Sequence, residues 1–306
     1  MRVDTHVHLV PDSYRAVVEE RSLSPMPLPP WSREVTEEFM HRHQIDAAVM
    51  SLAPPGVWFG DAGLAAELAR AVNEATAALV RAAPQRFAGL AVLPLPDVDT
   101  SLAELSHALD VLHLDGVAVL SNVEGIYPGD ERLEPVWTEL DRRGAYVLLH
   151  PAAPVPAPAL PHHPIWLYEF PFDTTRALAN LIWSGTLERA SGLRLQVAHL
   201  GGAAPFLAHR IDSLGAREPD KATAAPSGAL AALARCWYDT GLSNHASAVT
   251  ATASVVPIDR IVFGTDWPYA ALPSSGDPAP ELEVLGHDRA RVDAGNAGTL
   301  VPRLVS

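Results

Sequence analysis

The motif Asp4-Thr5-His6-Val7-His8, close to the start of the chain, is the strongest indicator of how the rest of the chain is arranged. It lies between Met1-Arg2-Val3 and Leu9-Val10, which is typical of the end of a short strand. Alternate side chains of a strand share a face, so His6 and His8 point the same way, about 7 Å apart at their backbones. Two converging imidazoles suit a divalent metal, which needs further ligands from elsewhere in the chain. The alternative is a half-buried pair making ordinary hydrogen bonds.

The composition limits where those ligands come from. The chain has 306 residues, 48% of them hydrophobic, and can bury a sizeable core; we expect one domain over residues 1–306. Its single cysteine, Cys236, excludes an internal disulfide framework and a cysteine-based zinc site. Any metal ligands must therefore be histidines and carboxylates.

Charge and hydropathy limit the kinds of partner that the protein can bind. The formal net charge of −14 repels polyanions, so we expect no nucleic acid partner. No apolar run approaches the roughly 20 residues of a membrane span, and no secretion signal is recognisable at the N-terminus. The sequence thus predicts a cytoplasmic protein that does not bind membranes.

Outward from the first strand, one pattern repeats: a short β-rich run, a loop and a helix-like stretch. The predicted strands are Val3–His8, Ile45–Ser51, Phe87–Leu93, Gly116–Leu120, Ala145–His150, Leu193–His199, Cys236–Asp239 and Arg260–Gly264. The predicted helices include Ala62–Ala83, Ser101–Leu112, Glu131–Arg143, Thr174–Ala190, Ala203–Leu214 and Gly228–Ala234. Strands that alternate with helices pair in parallel. Eight such units indicate an α/β fold, a (β/α)₈ TIM barrel.

Three proline-rich stretches interrupt the pattern and distort the barrel. They are Pro11–Pro30, Pro151–Pro171 and Pro268–Pro280, and each follows the end of a predicted strand. In such barrels the loops after the strands form the pocket at the C-terminal face. We therefore expect loop insertions that act as lids or pocket walls.

Metal-binding residue types stand at the ends of four predicted strands. His6 and His8 end the first, His150 the fifth and His199 the sixth, while Asp266 follows the eighth. A lone strand-end histidine is weak evidence, and Asp266 before Trp-Pro could be a turn former. All of these residues, however, share the rim where such barrels hold their sites. Their convergence predicts a metal site.

These motifs resemble the amidohydrolase superfamily. Within it, His199-Leu200-Gly201-Gly202, Gly264-Thr265-Asp266-Trp267-Pro268 and Phe172-Asp173-Thr174-Thr175-Arg176 are similar to the branch of non-oxidative decarboxylases. That branch includes aminocarboxymuconate-semialdehyde, γ-resorcylate and 6-methylsalicylate decarboxylases. The resemblance is strongest to the 6-methylsalicylate type, on Pro55–Asp61 and Pro94–Asp97, and it spans nearly the whole chain.

The resemblance implies a role for each matching residue. His6, His8, His150 and Asp266 match the ligands of one divalent ion, Zn²⁺ or Mn²⁺, and no organic cofactor is expected. His199 matches a residue beside the metal that handles protons or positions substrate. The fourth strand ends Leu120-Ser121-Asn122, without the lysine that bridges two metals in binuclear members, so one metal is implied.

The same residue types suit decarboxylation of a small ortho-hydroxy aromatic acid. Loss of CO₂ requires a proton at the ring carbon that carries the carboxylate, and hence an acid over the ring face. His199 and Asp266 are the two candidates, and the sequence does not choose between them. Metal-activated hydrolysis of a lactone or amide is the alternative activity, and a barrel that only binds ligands is a third reading.

Other residues are predicted to surround the ring or support the ligands. Trp166, Phe172 and Tyr269 are candidates for apolar walls, with core packing as the alternative. Asp239, and less strongly His245, could orient a ligand histidine. The remaining histidines on helices and connections, His43 among them, are expected at the surface.

Arg210 carries the prediction about assembly. It lies eleven residues after His199, and the resemblance implies that it enters a neighbouring subunit's pocket and binds the substrate carboxylate. A guanidinium would offer a bidentate partner there. We therefore expect a homodimer or a dimer-based tetramer. The alternative is an ion pair within one chain at the surface.

Overall fold

The computed structural model describes residues 1–24, 27–156 and 163–305. Within them, eight parallel strands follow one another in chain order around one sheet. They are β1 (Val3–Leu9), β2 (Ala47–Leu52), β3 (Phe87–Val92), β4 (Gly116–Leu120), β5 (Tyr146–His150), β6 (Arg194–Val197), β7 (Trp237–Asp239) and β8 (Ile261–Val262). All eight predicted strands are present, which confirms the predicted fold class.

Backbone hydrogen bonds join the last strand region to the first. The Thr5 amide donates to Phe263 O at 2.9 Å, and the His8 amide donates to Trp267 O at 2.8 Å. These bonds make the sheet a nearly closed barrel, and they place the chain that follows β8 directly beside β1. The segment carrying Asp266 therefore lies against the strand carrying His6 and His8.

Helices connect and surround the strands. They are α1 (Asp12–Glu20), α2 (Arg33–Arg42), α3 (Ala62–Ala82), α4 (Val98–Ser106), α5 (Glu134–Arg142), α6 (Glu169–Trp183), α7 (Thr186–Arg189), α8 (Ala204–Gly215), α9 (Pro219–Ala224), α10 (Gly228–Arg235), α11 (Ala246–Ala253) and α12 (Arg289–Asp293). A π-helical segment, His107–Val111, extends α4. The start of α3 shows the local cause of these boundaries: the Asp61 side chain accepts from the Leu64 amide at 2.9 Å and satisfies a free N–H of the first turn.

The bottom of the barrel is closed by the end of the chain. Val3, Tyr146 and their neighbours inside the barrel share one buried apolar cluster with Leu300, Val301 and Leu304. Because this packing covers the N-terminal ends of the strands, the open end is the C-terminal one. The predicted metal ligands His6, His8, His150 and Asp266 lie at that open end.

The proline-rich stretches depart in part from the prediction. Pro11–Pro30 was expected to be a loop, yet it contains α1, whose Tyr14 and Val18 pack into a small apolar cluster. The prolines flank this helix rather than interrupt it, so they leave its hydrogen bonds intact. Pro151–Pro171 runs into α6, which begins at Glu169 and not at Thr174. Residues 25–26 and 157–162 of these two stretches lie outside the described residues.

No helix in the described part of the chain combines the length and the apolar character needed to cross a bilayer.

Candidate metal centre

Three histidine rings and one carboxylate meet at the C-terminal end of the barrel. His6 and His8 lie two apart on β1, and His150 is the last residue of β5. The Nε2 atoms of His6 and His8 are 3.1 Å apart, and Asp266 Oδ1 lies 2.8 Å from His8 Nε2 and 3.3 Å from His6 Nε2. One ligand atom from each of the four residues lies within 4.8 Å of the others. The predicted convergence is confirmed.

Hydrogen bonds to the far side of each ring fix its orientation. His6 Nδ1 donates to Asp239 Oδ1 at 2.9 Å, and His150 Nδ1 donates to Pro151 O at 2.8 Å. His8 Nδ1 lies 3.3 Å from Ser51 O. A carbonyl oxygen can only accept, so His150 carries its ring proton on Nδ1 and directs its Nε2 lone pair at the shared volume. His8 Nδ1 lies 3.2 Å from Ser51 Oγ as well, so this ring is also held from behind, as in metal sites.

Burial and the neighbouring charges set the protonation of these groups. Burial alone disfavours a charged His6, but Asp239 and Asp266 outweigh it and raise the pKa of His6 to about 9. Burial lowers the pKa of His150 to about 3, which keeps that ring neutral and able to ligate. Burial opposes ionisation of Asp266 too, but the histidines, His6 foremost, hold its pKa well below the ordinary value.

The residues fit a divalent metal ion. His150 Nε2 is buried and has no hydrogen-bond partner in the described structure, although it faces three other donor atoms. A buried polar atom without a partner is costly, and a cation among three imidazoles and a carboxylate removes that cost. The donor set contains no thiolate, because Cys236 is buried elsewhere in the core.

His199 lies beside these four residues. It follows β6 and adopts a left-handed backbone, with φ of 56°, as does Asp266 with φ of 63°. His199 Nε2 is 3.4 Å from Asp266 Oδ2, is buried and has no hydrogen-bond partner among the described residues. Left-handed backbone is unfavourable for a histidine, and the surrounding structure holds it there. The ring thereby reaches the cavity above the metal ligands.

Asp239 organises the support behind these side chains. This buried carboxylate accepts from His6 Nδ1, from the His199 amide at 3.2 Å and from Gln196 Nε2 at 2.7 Å. The prediction that Asp239 orients a ligand histidine is confirmed. Gln196 was missed, although a glutamine inside an otherwise apolar buried strand was a readable signal.

Asp4 supplies a second support that the sequence reading did not assign. Its carboxylate accepts from Thr265 Oγ1 at 2.6 Å and from the amides of Thr265 and His6 at 3.0 and 3.1 Å. Burial raises the pKa of Asp4 to about 7 in spite of these bonds. Asp4 therefore ties β1, which carries two ligands, to the segment that carries Asp266.

The ligands open into a cavity of about 460 Å³, here called the metal cavity. Its lining includes His150, His199, Asp266, Trp166 and Tyr269, as predicted. Among the described residues, the lining is formed by Pro27, Ala53, Pro54, His150, Trp166, Leu167, Phe170, Pro171, His199, Leu242, Ser243, Asp266, Pro268 and Tyr269. This volume suits a small ligand.

Two predicted residues lie elsewhere. Phe172 is 45% exposed and does not line the metal cavity; Phe170, one half-turn away on α6, does. His245 is exposed and its Nδ1 lies 2.9 Å from Ser247 Oγ, so the suggestion that it orients a ligand is wrong. His43 is buried rather than at the surface, with Nδ1 3.0 Å from Gly276 O.

Arg210 lies in the middle of α8, exposed. Within the described residues it forms no ion pair, so the alternative of an intrachain pair finds no support there. Phe206, one helical turn earlier, is 83% exposed. The face of α8 thus presents an aromatic ring and a guanidinium together.

A buried polar cluster on the other side of the cavity was also missed. Asp173 on α6 accepts from Asn122 Nδ2 at 2.8 Å, from Tyr127 Oη at 2.5 Å and from Ser121 Oγ. Ser121 Oγ in turn accepts from the Ala152 amide at 2.8 Å, two residues after His150. The cluster therefore fastens the end of β4 to the segment that follows the fifth-strand ligand. Partners about fifty residues apart in sequence gave no local signal.

Fold and site together define a barrel whose strand ends hold one histidine- and carboxylate-rich metal centre. The chain belongs to the amidohydrolase family, whose sequence profile matches residues 3–303. This confirms the family resemblance predicted from the strand-end motifs.

Individual relatives agree with that assignment. The chain is 33% identical to the 6-methylsalicylic acid decarboxylase of Aspergillus aculeatus over 283 residues, covering 88% of this chain and 85% of the relative. It is 28% identical to the enzyme of the same name from Penicillium expansum, covering 99% of this chain and 97% of that one. A solved structure described as an amidohydrolase II superposes with a TM-score of 0.85 at 25% identity, covering 99% and 100% of the two chains.

Proposed function

We propose that this protein is a metal-dependent, non-oxidative decarboxylase of a small ortho-hydroxy aromatic acid of the 6-methylsalicylate type. The observation that carries the proposal is the set of four buried ligand atoms opening into an aromatic-walled cavity that also contains a free histidine nitrogen. Relatives named for this reaction, at 28% and 33% identity over most of the chain, support it. The hydrolase alternative gains no comparable support.

His6, His8, His150 and Asp266 would hold one divalent ion, zinc or manganese. When bound, the ion supplies Lewis-acid stabilisation for anionic oxygens. Imidazole and carboxylate ligands suit both metals, and the donor set does not discriminate between them. No dinucleotide fingerprint follows β1, so we propose no organic cofactor.

The cavity walls bind and orient the ring. Trp166, Phe170 and Tyr269 present aromatic faces or edges to the metal cavity, and Pro54 and Pro268 restrict its width. Aromatic pairs of this kind favour offset or edge-to-face packing and position a flat ring without a charged anchor. The apolar lining also excludes water, which strengthens the electrostatic interactions inside.

We assign proton delivery to His199. Its Nε2 lines the cavity without a partner, and Asp266 Oδ2, 3.4 Å away, can orient a proton on that nitrogen. The proton passes to the ring carbon that bears the carboxylate, the bond from that carbon to the carboxylate breaks, and its electron pair restores the aromatic ring as CO₂ leaves. Asp266 is a poorer donor because it is one of the four proposed metal ligands, and a carboxylate must be deprotonated to bind a metal.

Arg210 completes the site in a homodimer or a dimer-based tetramer on this proposal. The described residues that line the metal cavity include no arginine or lysine, so a cation for the substrate carboxylate has to come from outside that lining. Arg210 is exposed and lies beside exposed Phe206, as expected of residues that meet a second subunit. Mixing Arg210→Ala with His150→Ala should restore activity in hybrid dimers; monomeric protein with full activity would contradict this part.

The test of the function is a substrate panel on metal-loaded protein. Salicylate, 6-methylsalicylate and dihydroxybenzoates are compared with aromatic lactones and amides, and CO₂ and ring products are both measured. We expect stoichiometric CO₂ and phenol from ortho-hydroxy acids, at a rate that falls in His199→Gln. Turnover of lactones or amides with no CO₂ from any acid would establish the hydrolase alternative instead.

A further inference from the structure

A second cavity borders the metal cavity and takes no part in the function proposed so far. This side cavity has a volume of about 550 Å³ and lies at the C-terminal ends of β3, β4 and β5. Pro54, Trp166 and Phe170 line both cavities, so these side chains lie at the boundary between the two. Other described residues of the lining include Trp58, Ala118, Asn122, Glu124 and Ala153.

The chemistry of the side cavity is apolar. Asn122 donates to Ala153 O and Asp173 and accepts from the Gly125 amide, so both of its side-chain N–H groups are already used. Glu124 is exposed. Trp58 Nε1 is buried without a partner and offers one hydrogen-bond donor. The lining therefore disfavours an anion and suits hydrocarbon, with room for one acceptor oxygen.

Size decides what occupies this space. Binding pockets for small molecules span about 300–1,000 Å³, so the metal cavity alone, at about 460 Å³, accommodates a single-ring acid. A side cavity of about 550 Å³ more than doubles the available volume. A methyl group would leave nearly all of it filled with water against apolar walls. Apolar walls gain free energy when hydrocarbon replaces that water.

We propose that the side cavity is a subsite for an apolar substituent on the substrate ring, so that this enzyme prefers aromatic acids bearing an alkyl chain or second ring over those bearing a single methyl group. The inference rests on the proposed function, because it takes the reacting ring to lie in the metal cavity. Trp166 and Phe170 then form the passage between ring and substituent. Ala118, in the middle of β4, and Ala153, in the loop after β5, are small side chains in the wall of the side cavity, so larger residues at these positions would reduce its volume.

The test measures kcat/KM for salicylates carrying methyl, propyl or pentyl groups at ring positions 4, 5 or 6. At one of these positions we expect kcat/KM to rise about four-fold per added methylene, the factor that corresponds to burying a methylene group. Values that stay flat or fall from methyl to pentyl at all three positions would overturn the proposal.

Substitutions in the lining test whether the dependence of kcat/KM on chain length arises in the side cavity. Ala118→Leu and Ala153→Leu fill the side cavity and should each lower the ratio of pentyl to methyl kcat/KM at least ten-fold. Ala153 is half-buried in a loop, so it serves if Ala118→Leu fails to fold. Ala82→Leu, at the exposed C-terminal end of α3 and outside the lining of the side cavity, is the matched control and should keep the ratio of the unsubstituted protein. Unchanged ratios in both filling variants would contradict the assignment.

Calorimetric binding of the same series separates this proposal from the proposed function. If no acid is decarboxylated, the proposed function fails, and affinity rising with chain length and lost in Ala153→Leu still supports the subsite. If the acids are decarboxylated but neither kcat/KM nor affinity depends on chain length, the subsite fails and the decarboxylase stands.

Discussion

The two sides of the barrel mouth are built in different ways. At the metal side, His6, His8 and His150 come from strands, are almost fully buried and are each held from behind by an oxygen. At the side cavity, apolar residues of strand ends and loops surround open space. The difference indicates that strands fix the chemistry here, whereas loops set which molecule fits.

The backbone on the metal side is also held by specific contacts. His199 and Asp266 both adopt positive φ where the chain leaves β6 and β8. Such conformations cost about 1–3 kcal/mol each and persist where surrounding contacts impose them. The bond from the Asp266 amide to His6 O, at 2.8 Å, and the bond from the His199 amide to Asp239 impose them here. Contacts on the metal side therefore hold both of these residues in an otherwise unfavourable backbone conformation.

The largest expected effect is the loss of a ligand on the metal side. His150→Ala leaves three ligand residues, and we expect metal content to fall below stoichiometric and decarboxylation to fall by on the order of 10³-fold or more. Elemental analysis and CO₂ release measure both. His245→Ala, at an exposed histidine, is the control and should leave both unchanged. Full metal content and activity in His150→Ala would show that His150 is not a metal ligand and that the metal side does not carry the chemistry.

A smaller effect is expected in the Asp173 cluster, which joins the end of β4 to the segment after β5. Asp173→Ala leaves the buried Ser121 and Asn122 donors without their shared acceptor, which costs about 2–3 kcal/mol of unfolding free energy. That loss corresponds to a change of roughly 30–150-fold in the unfolding equilibrium. Urea denaturation measures it, with Asp259→Ala at an exposed carboxylate as control. Equal free energies of unfolding for the two variants would show that the cluster does not stabilise the fold.

Support behind a ligand should matter less than the ligand itself. Asp239→Asn keeps an acceptor near His6 but removes the charge, and we expect metal affinity to fall about 10–100-fold. Competition with a chromophoric chelator gives the affinity, and circular dichroism checks the fold. An unchanged affinity would mean that Asp239 acts only in folding.

The smallest effect is expected at the boundary between the two cavities. Trp166→Ala removes an aromatic wall shared by both, and a lost aromatic contact of about 0.5–1.5 kcal/mol raises KM roughly 2–10-fold. Phe172→Ala is a matched control, since Phe172 is similarly exposed but lines neither cavity. A greater rise in KM for Phe172→Ala than for Trp166→Ala would reverse the placement of these aromatics.

The metal side was predictable from sequence because its signals are local. Strand periodicity places His6 and His8 on one face, and the parallel order of strands brings His150 and Asp266 to the same rim. Asp239 could be proposed on the same grounds. These inferences need only the direction of each strand and the position of its end.

The other side was not predictable, because it depends on contacts between distant segments. Whether Phe170 or Phe172 faces the cavity depends on where α6 begins, and it begins five residues earlier than expected, at Glu169 instead of Thr174. The Asp173 cluster joins residues separated by about fifty positions. The side cavity is a space between packed elements, and the sequence contains no pattern that predicts such a space.

The most direct test of the central claim is a metal titration of chelator-treated protein with CO₂ release as the readout. Manganese or zinc is added stepwise in the presence of an ortho-hydroxy aromatic acid. We predict that activity is absent at the start, rises in proportion to added metal and reaches its plateau at about one ion per chain, because His6, His8, His150 and Asp266 form one site. Full decarboxylation by the metal-free protein, or a plateau only at two ions per chain, would contradict the account.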